Sequence, residues 1–390
     1  MIYTFVSSWF AAIKDKVQSY ELYKTSGKED YMWRVGWKIL ILLLIVMGIF
    51  YFITDKVSVN EPLESPVQHG SPIAVPEKDP SVGGEGMPRP SEGMSVFVGQ
   101  KVEKLEEQFG KPSRVEPSSY QYEWWVYTDK PSFMAGVRKG KVNQLYTADR
   151  SADVSPFTIG QNVQEIHRFT PIESEIDVTI KDNIYSFSLN SDDIKNRMLI
   201  PYENLFVQLY IDQVDGVLGG VRFITPSTLV KHQPYDMTYL GEMIEAPKPS
   251  STVQTEVDRA MERQTFEVTN QVREKRDLPV LSYDEKLAAL SRKHSQEMIF
   301  QKYRSHGEEI IEPFSERLKA AGIPPAKAGE NTAFNYIDSI ETVHGWLNSP
   351  KHREVLLNPN FTHTGVGVYN KYYTQSFVAR TETDQSEDDD

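Results

Sequence analysis

HSQEMIFQKYRSH (residues 294–306), GEN (329–331), WLNSPKHR (346–353) and GVGV (365–368) are the blocks of one stretch, His294 to Val368, whose reading decides the fold. The stretch holds five of the eight histidines: His294, His306, His344, His352 and His363. Histidine is a common metal ligand and titrates near neutral pH, so such a cluster is a candidate site. A surface or helix-capping role is the bland alternative for each ring. Around the blocks, Ser339–Asn348 reads as a helix that stops at Ser349-Pro350. Strands are expected at Thr364–Tyr369 and Tyr373–Ala379.

Working outward, the spacing predicts a helix over Val253–Lys275. Asp284 precedes a second, Glu285–Phe300, with Leu287, Leu290, His294 and Met298 on one stripe. A third, Ile311–Ala321, ends at Gly322. Residues 253–380 therefore read as one α+β domain. A linker with Pro247 and Pro249 precedes it at 241–252, and an acidic tail expected to be disordered follows at 381–390.

Residues 94–240 read as another α+β domain built of two similar halves. Val98-Gly99-Gln100-Lys101-Val102 recurs 61 residues later as Ile159-Gly160-Gln161-Asn162-Val163. Each copy leads into a short helix, Glu103–Phe109 and Gln164–Phe169. Strands are expected at Tyr122–Tyr127, Phe133–Val137, Tyr185–Leu189, Leu205–Asp212 and Val217–Phe223. Turns are expected at Lys139-Gly140, Asp215-Gly216 and Gly219-Gly220. Tyr120, Tyr122, Trp124, Trp125 and Tyr127 make an aromatic strand that fits core packing or a binding face equally.

Before it, residues 56–93 carry seven prolines, five glycines and five serines in 38 residues. Such a segment builds no core and is expected to be an extended, mobile linker over 54–93. Upstream lies the apolar run ILILLLIVMGIFYFI, residues 39–53. Extended back to Val35 it reaches about 28 Å as a helix, enough for a bilayer core. Residues 35–53 are thus expected to cross the membrane, with Lys38 snorkelling and Trp33, Trp37, Tyr51 and Phe52 at the boundaries. Lys14, Lys16, Lys24, Lys28, Arg34 and Lys38 precede Lys56, which places the N-terminus in the cytoplasm and the later domains outside. No small-x-small cleavage site follows the run, so the span reads as an uncleaved anchor. Within residues 1–34, Ile2, Phe5, Val6, Trp9, Phe10, Ile13 and Val17 form an amphipathic stripe suited to a membrane surface or a partner.

The net charge of −13 argues against a nucleic-acid partner, because phosphate neutralisation needs clustered Lys and Arg. The chain has no cysteine. That excludes disulfides, thiolate catalysis, Cys-ligated zinc and a lipoprotein-type anchor.

Asn270, Arg273, Leu278-Pro279-Val280-Leu281 and the blocks quoted above, in this order, resemble the CAP superfamily (SCP-like, PR-1-like) in its bacterial form over residues 260–380. The resemblance implies an α-β-α sandwich. The domain before it is similar to the CAP-associated N-terminal domain of Firmicute membrane proteins. In the family two histidines and two glutamates line a cleft. By motif these are His306, Glu330 and His352 here, while the second glutamate falls near Ser349, where there is no carboxylate. The resemblance further implies zinc as candidate cofactor, held by His306 and His352. It leaves His294 and Ser295 as structural and His344 and His363 as surface residues. Two functions follow. One is a non-enzymatic extracellular module that binds a cell-envelope component, peptide or apolar ligand. The alternative is a metal-dependent hydrolase of wall or extracellular peptide using His306, Glu330 and His352.

Overall fold

The computed structural model describes residues 36–43, 57–67, 72–75, 86–303, 312–323 and 325–380. The chain divides into two units, residues 1–56 and 57–390. In the first, residues 36–43 are helical with exposed side chains. Among the described residues no helix is long and apolar enough to cross a membrane. The amphipathic stripe, the rest of the expected 35–53 span, His306 and the acidic tail lie outside the described residues.

The second unit opens on strands β1 (Val57–Val59), β2 (Leu63–Glu64) and β3 (Ile73–Ala74). This is the segment expected to be mobile. It is extended, but β1 and β2 pair with the sheet of the C-terminal domain and β3 with a sheet of the N-terminal one. Further on, Met87 bridges Tyr202. An edge strand needs only backbone N–H and C=O groups, which side-chain composition does not report.

The N-terminal domain continues with α1 (Val102–Phe109), β4 (Arg114–Pro117), β5 (Glu123–Tyr127), β6 (Phe133–Arg138), β7 (Lys141–Thr147), α2 (Val163–Phe169), β8 (Glu175–Ile180), β9 (Asn183–Ser188), α3 (Ser191–Asn196), β10 (Arg197–Pro201), β11 (Phe206–Asp212), β12 (Val217–Ile224), α4 (Pro226–His232) and β13 (Asp236–Leu240). One antiparallel sheet has the order β10-β11-β12-β7-β6-β5-β4, and a smaller one runs β3-β13-β9-β8. The two copies of the five-residue repeat make matching bonds. Gly99 N–H donates to Val142 O and Val102 N–H to Gly140 O. Likewise Gly160 N–H donates to Leu218 O and Val163 N–H to Gly216 O. Both glycines take positive φ, 87° and 90°, which a side chain would strain. Each repeat thus clamps the turn of one hairpin. Gly219-Gly220, expected as a turn, lies inside β12 instead.

The C-terminal domain comprises α5 (Ser251–Glu274), β14 (Ser282–Tyr283), α6 (Glu285–Tyr303), α7 (Phe314–Ala320), β15 (Lys327–Phe334), α8 (Ser339–Asn348), α9 (Pro350–Leu356), β16 (His363–Tyr369) and β17 (Tyr372–Ala379). Its sheet has the order β1-β15-β17-β16-β14, with β2 also on β15. The two faces pack separately. Val366, Val368, Tyr373 and Phe377 meet Val268, Val272 and Trp346 of α5 and α8. Ala328 and Val378 meet Leu287, Phe314 and Leu318 of α6 and α7. This is helix, sheet, helix layering. Gly365 and Gly367 let α6 lie directly on β16. A Cβ at Gly365 would fall 2.2 Å from Ala288 N, and one at Gly367 1.9 Å from Arg292 N. Ser291 and Ser295 of α6 donate to the two glycine carbonyls at 3.1 and 2.9 Å.

The two domains share a core rather than a flexible joint. Tyr120, Tyr122 and Trp124 cluster with Val257, Ile340 and Val343, so the aromatic strand serves packing. Arg222, fully buried, donates to Asp338 at 2.7 Å. Arg197 bridges Asp193 and Glu341 at 2.7 and 3.2 Å. Arg353 reaches Asp212 at 2.8 Å, and Arg276 binds both Asp212 and Asp215. His344 is buried here, contrary to the surface position expected. Its Nε2 lies 2.9 Å from the Tyr146 hydroxyl, and its ring stacks on Tyr210.

His232 and His344 give this interface a pH dependence. Burial first, then nearby cations, hold both rings well below the usual 6.5: Arg222, Lys371 and Lys231 for His232; Lys275, Arg222 and Arg276 for His344. The unfolded chain protonates these rings below about pH 6.5 while the folded protein does not. Stability is therefore full above that pH and falls as pH drops below it, at up to about 1.4 kcal/mol per pH unit for each ring. Urea unfolding of the wild type and His344→Gln between pH 7.5 and 5 checks this. The variant should lose one ring's share of the slope, and equal slopes would contradict it.

Candidate functional site

Glu330 sits in the middle of β15, fully buried, and Asn331 follows it. Successive side chains of a strand point to opposite faces, so these two neighbours serve different surroundings. Glu330 faces α6 and α7. Its carboxylate accepts from Arg317 Nη1 and Nη2 at 3.0 and 2.6 Å and from the Ser376 hydroxyl at 3.2 Å. His294, expected to be merely structural, is brought to the same carboxylate with Nε2 at 3.7 Å. Burial, then the Arg317 charge, hold the His294 ring below its usual range, against the opposing pull of Glu330.

Asn331 faces α9 and donates to the carbonyl of His352 at 2.9 Å. His352 sits near the start of α9, which Pro350 opens. Its Nδ1 lies 2.8 Å from the Ser349 hydroxyl and its Nε2 3.0 Å from the backbone carbonyl of Glu61. A carbonyl only accepts, so Nε2 carries the proton and Nδ1 takes one from Ser349. Burial, the largest influence, lowers the pKa of this ring and keeps it neutral. The Ser349 hydroxyl thus orients the histidine.

Of the three residues expected to converge, His306 lies outside the described residues. Glu330 and His352 are held in separate hydrogen-bond networks, linked through β15 and Asn331. Both nitrogens of His352 are engaged, and both oxygens of Glu330 are held by Arg317. Among the described residues no group of three or more His, Asp or Glu is arranged to hold a metal.

Several participants were not singled out in the sequence: Arg317, Ser376, Asn60 and the carbonyl of Glu61. Asn60, 8% exposed, donates to Asn331 Oδ1 and to the Lys351 carbonyl, both at 3.0 Å. The signal for Arg317 is its place in the helix expected over Ile311–Ala321, inside the His294–Val368 stretch. Asn60 and Glu61 gave none, because they come from the segment read as a linker. Beside β2, a cavity of about 220 Å3 is lined by Leu63, Glu64, Arg197, Tyr336, Glu341 and Ser349.

The chain has measurable relatives. A family model described as CAP-associated N-terminal matches residues 98–235, and one described as cysteine-rich secretory protein family matches residues 266–380. The uncharacterized membrane protein YlbC of Bacillus subtilis is 33% identical over 343 residues, covering 87% of this chain and 98% of its own. The crystal structure of an extracellular protein containing a SCP domain from Bacillus anthracis matches with a TM-score of 0.70 at 32% identity, covering 78% of this chain and 100% of that one. That of a cysteine-rich secretory protein from Staphylococcus aureus matches with a TM-score of 0.69 at 25% identity, covering 82% and 98%. The blocks of residues 294–368, the layered sheet they build and relatives that span both domains lead to one assignment: the chain belongs to the CAP (cysteine-rich secretory protein) family, in the form that carries a CAP-associated N-terminal domain.

Proposed function

We propose that this chain is a membrane-anchored, extracellular binding module whose CAP domain holds a cell-envelope component without cleaving it. The anchor is the apolar run at residues 35–53, with the N-terminus in the cytoplasm. The membrane protein named among its relatives and the extracellular one among its structural neighbours support this placement. One observation carries the binding reading. The Glu330 carboxylate is taken up inside the protein by Arg317 and Ser376. A general base needs a free lone pair within reach of the proton it abstracts. Glu330, doubly bonded to a guanidinium, offers a structural anion instead.

The full-length protein, purified in detergent, is to be incubated with cell-wall fragments with and without a chelator. Fragments are expected to co-sediment with the protein at unchanged mass, indifferent to chelator. Chelator-sensitive cleavage would overturn this in favour of a hydrolase that uses His306, Glu330 and His352 with a metal such as zinc.

A further inference from the structure

We propose that the outer edge of β15 is a binding edge for an extended peptide, and that residues 57–65 occupy it in cis. The inference deepens the binding reading above and rests on it by naming the class of ligand.

Without β1 and β2, β15 would be the edge of its sheet. Such an edge presents a row of backbone donors and acceptors that any extended chain can pair with. The chain's own segment does so in parallel register: Val57, Ser58 and Val59 lie opposite Ala328, Gly329 and Glu330, and Leu63 and Glu64 opposite Ala333 and Phe334. Asn60 N–H donates to Glu330 O at 3.4 Å and Ser65 N–H to Phe334 O at 3.1 Å.

Between the two short strands the contacts become specific. The Asn60 carboxamide is buried and donates to Asn331 and to the Lys351 carbonyl, while His352 reaches the next carbonyl, that of Glu61. By contrast the valines of the first strand are hardly read, Val57 and Val59 remaining 38% and 53% exposed, while Leu63 packs against the core and Ser65 is buried. The recognition rule written here is an extended backbone with a carboxamide at one position and a carbonyl one residue later. This gives His352, Asn331 and Ser349 a task that does not involve proton transfer.

The occupant is also poised to leave. Its strands are three and two residues long, and short edge strands with little buried apolar surface open at low cost. Leu63 and Glu64 form one wall of the 220 Å3 cavity, whose other wall carries Arg197, Tyr336 and Glu341. Departure of the strap would open that cavity to a ligand lying along β15.

The probe is a fluorescent synthetic peptide of residues 56–66, KVSVNEPLESP, added to the full-length protein in detergent. Asn60→Pro in the protein removes the Asn60 N–H and both carboxamide bonds. It should raise the apparent affinity for the peptide by roughly tenfold or more, since the competent state is no longer masked. Asn60→Ala should give an intermediate gain. Placing Ala at the Asn60 position of the peptide, or His352→Phe in the Asn60→Pro protein, should reverse the gain. Equal binding by wild type and Asn60→Pro, or binding by neither, overturns the inference, with hydrogen exchange of residues 57–65 verifying that the strap was released. If wall fragments still co-sediment in that case, the binding role stands and only the peptide edge falls. If the peptide binds and wall fragments do not, the edge stands and the envelope ligand falls.

Discussion

Arg222→Ala is expected to destabilise the protein by about 3–5 kcal/mol, the usual loss when one partner of a buried ion pair is removed. Arg222 lies in β12 with no exposed surface, and its guanidinium serves Asp338 at 2.7 Å and sits over the Tyr210 ring. Asp338 is the N-cap of α8, where it accepts from Glu341 N–H at 3.1 Å. Without Arg222 the buried carboxylate keeps its cap but loses its ion-pair partner. Asp338→Ala should cost as much, with the lost cap adding about 1 kcal/mol. The double variant should cost less than the sum, because removing both charges leaves neither stranded. Urea unfolding of the four proteins measures this, and additive losses would mean that Arg222 and Asp338 do not act as a pair.

Glu330→Ala should have an effect of similar size for a different reason. It strands Arg317, whose two terminal nitrogens both end on this carboxylate and whose Nε donates to Glu312 O at 3.1 Å. A loss of about 3–5 kcal/mol is expected. Glu330→Gln keeps an acceptor for the fork and should cost clearly less. The pair of substitutions separates two roles for Glu330. If it acts through structure, stability and ligand binding decline together and Gln rescues most of both. If it were a general base, Gln would abolish turnover at nearly full stability.

Much of this fold is legible in the sequence because its periodicities are strong. The helices α5, α6 and α8 and the strands β16 and β17 lie within a few residues of where the apolar spacing puts them. β15 was not anticipated. Its sequence, KAGENTAF, lacks the β-branched and aromatic run of an ordinary strand. It is buried on both faces by small and polar groups, whose partners include Arg317 of the preceding helix and, from distant parts of the chain, Ser376 and Asn60. Gly219-Gly220 misled in the opposite direction. The pair reads as a turn, yet it lies in β12 to make room for a side chain: a Cβ at Gly220 would come 3.1 Å from His344 Nε2. The same contact explains why His344 is buried, which no local pattern around residue 344 reveals. Arg222 likewise looks like a surface residue of a strand until the second domain covers it.

The relatives carry a family description that speaks of cysteine, and this chain has none. Its domains are joined instead by the shared apolar core and by the paired arginines 197, 222, 276 and 353. The strap of residues 57–65 belongs to the same economy of backbone and polar contacts.

Hydrogen exchange of the full-length protein, read by mass spectrometry over residues 57–75, tests most directly whether that strap closes the CAP site. The amides of Asn60, Ser65 and Val75 donate to Glu330, Phe334 and Tyr239 carbonyls. They should exchange well below the unprotected rate, and Asn60→Pro should release Ser65 while leaving the Val75 contact with the other domain in place. Exchange of residues 57–65 at the rate of a free chain in the wild-type protein would contradict the account.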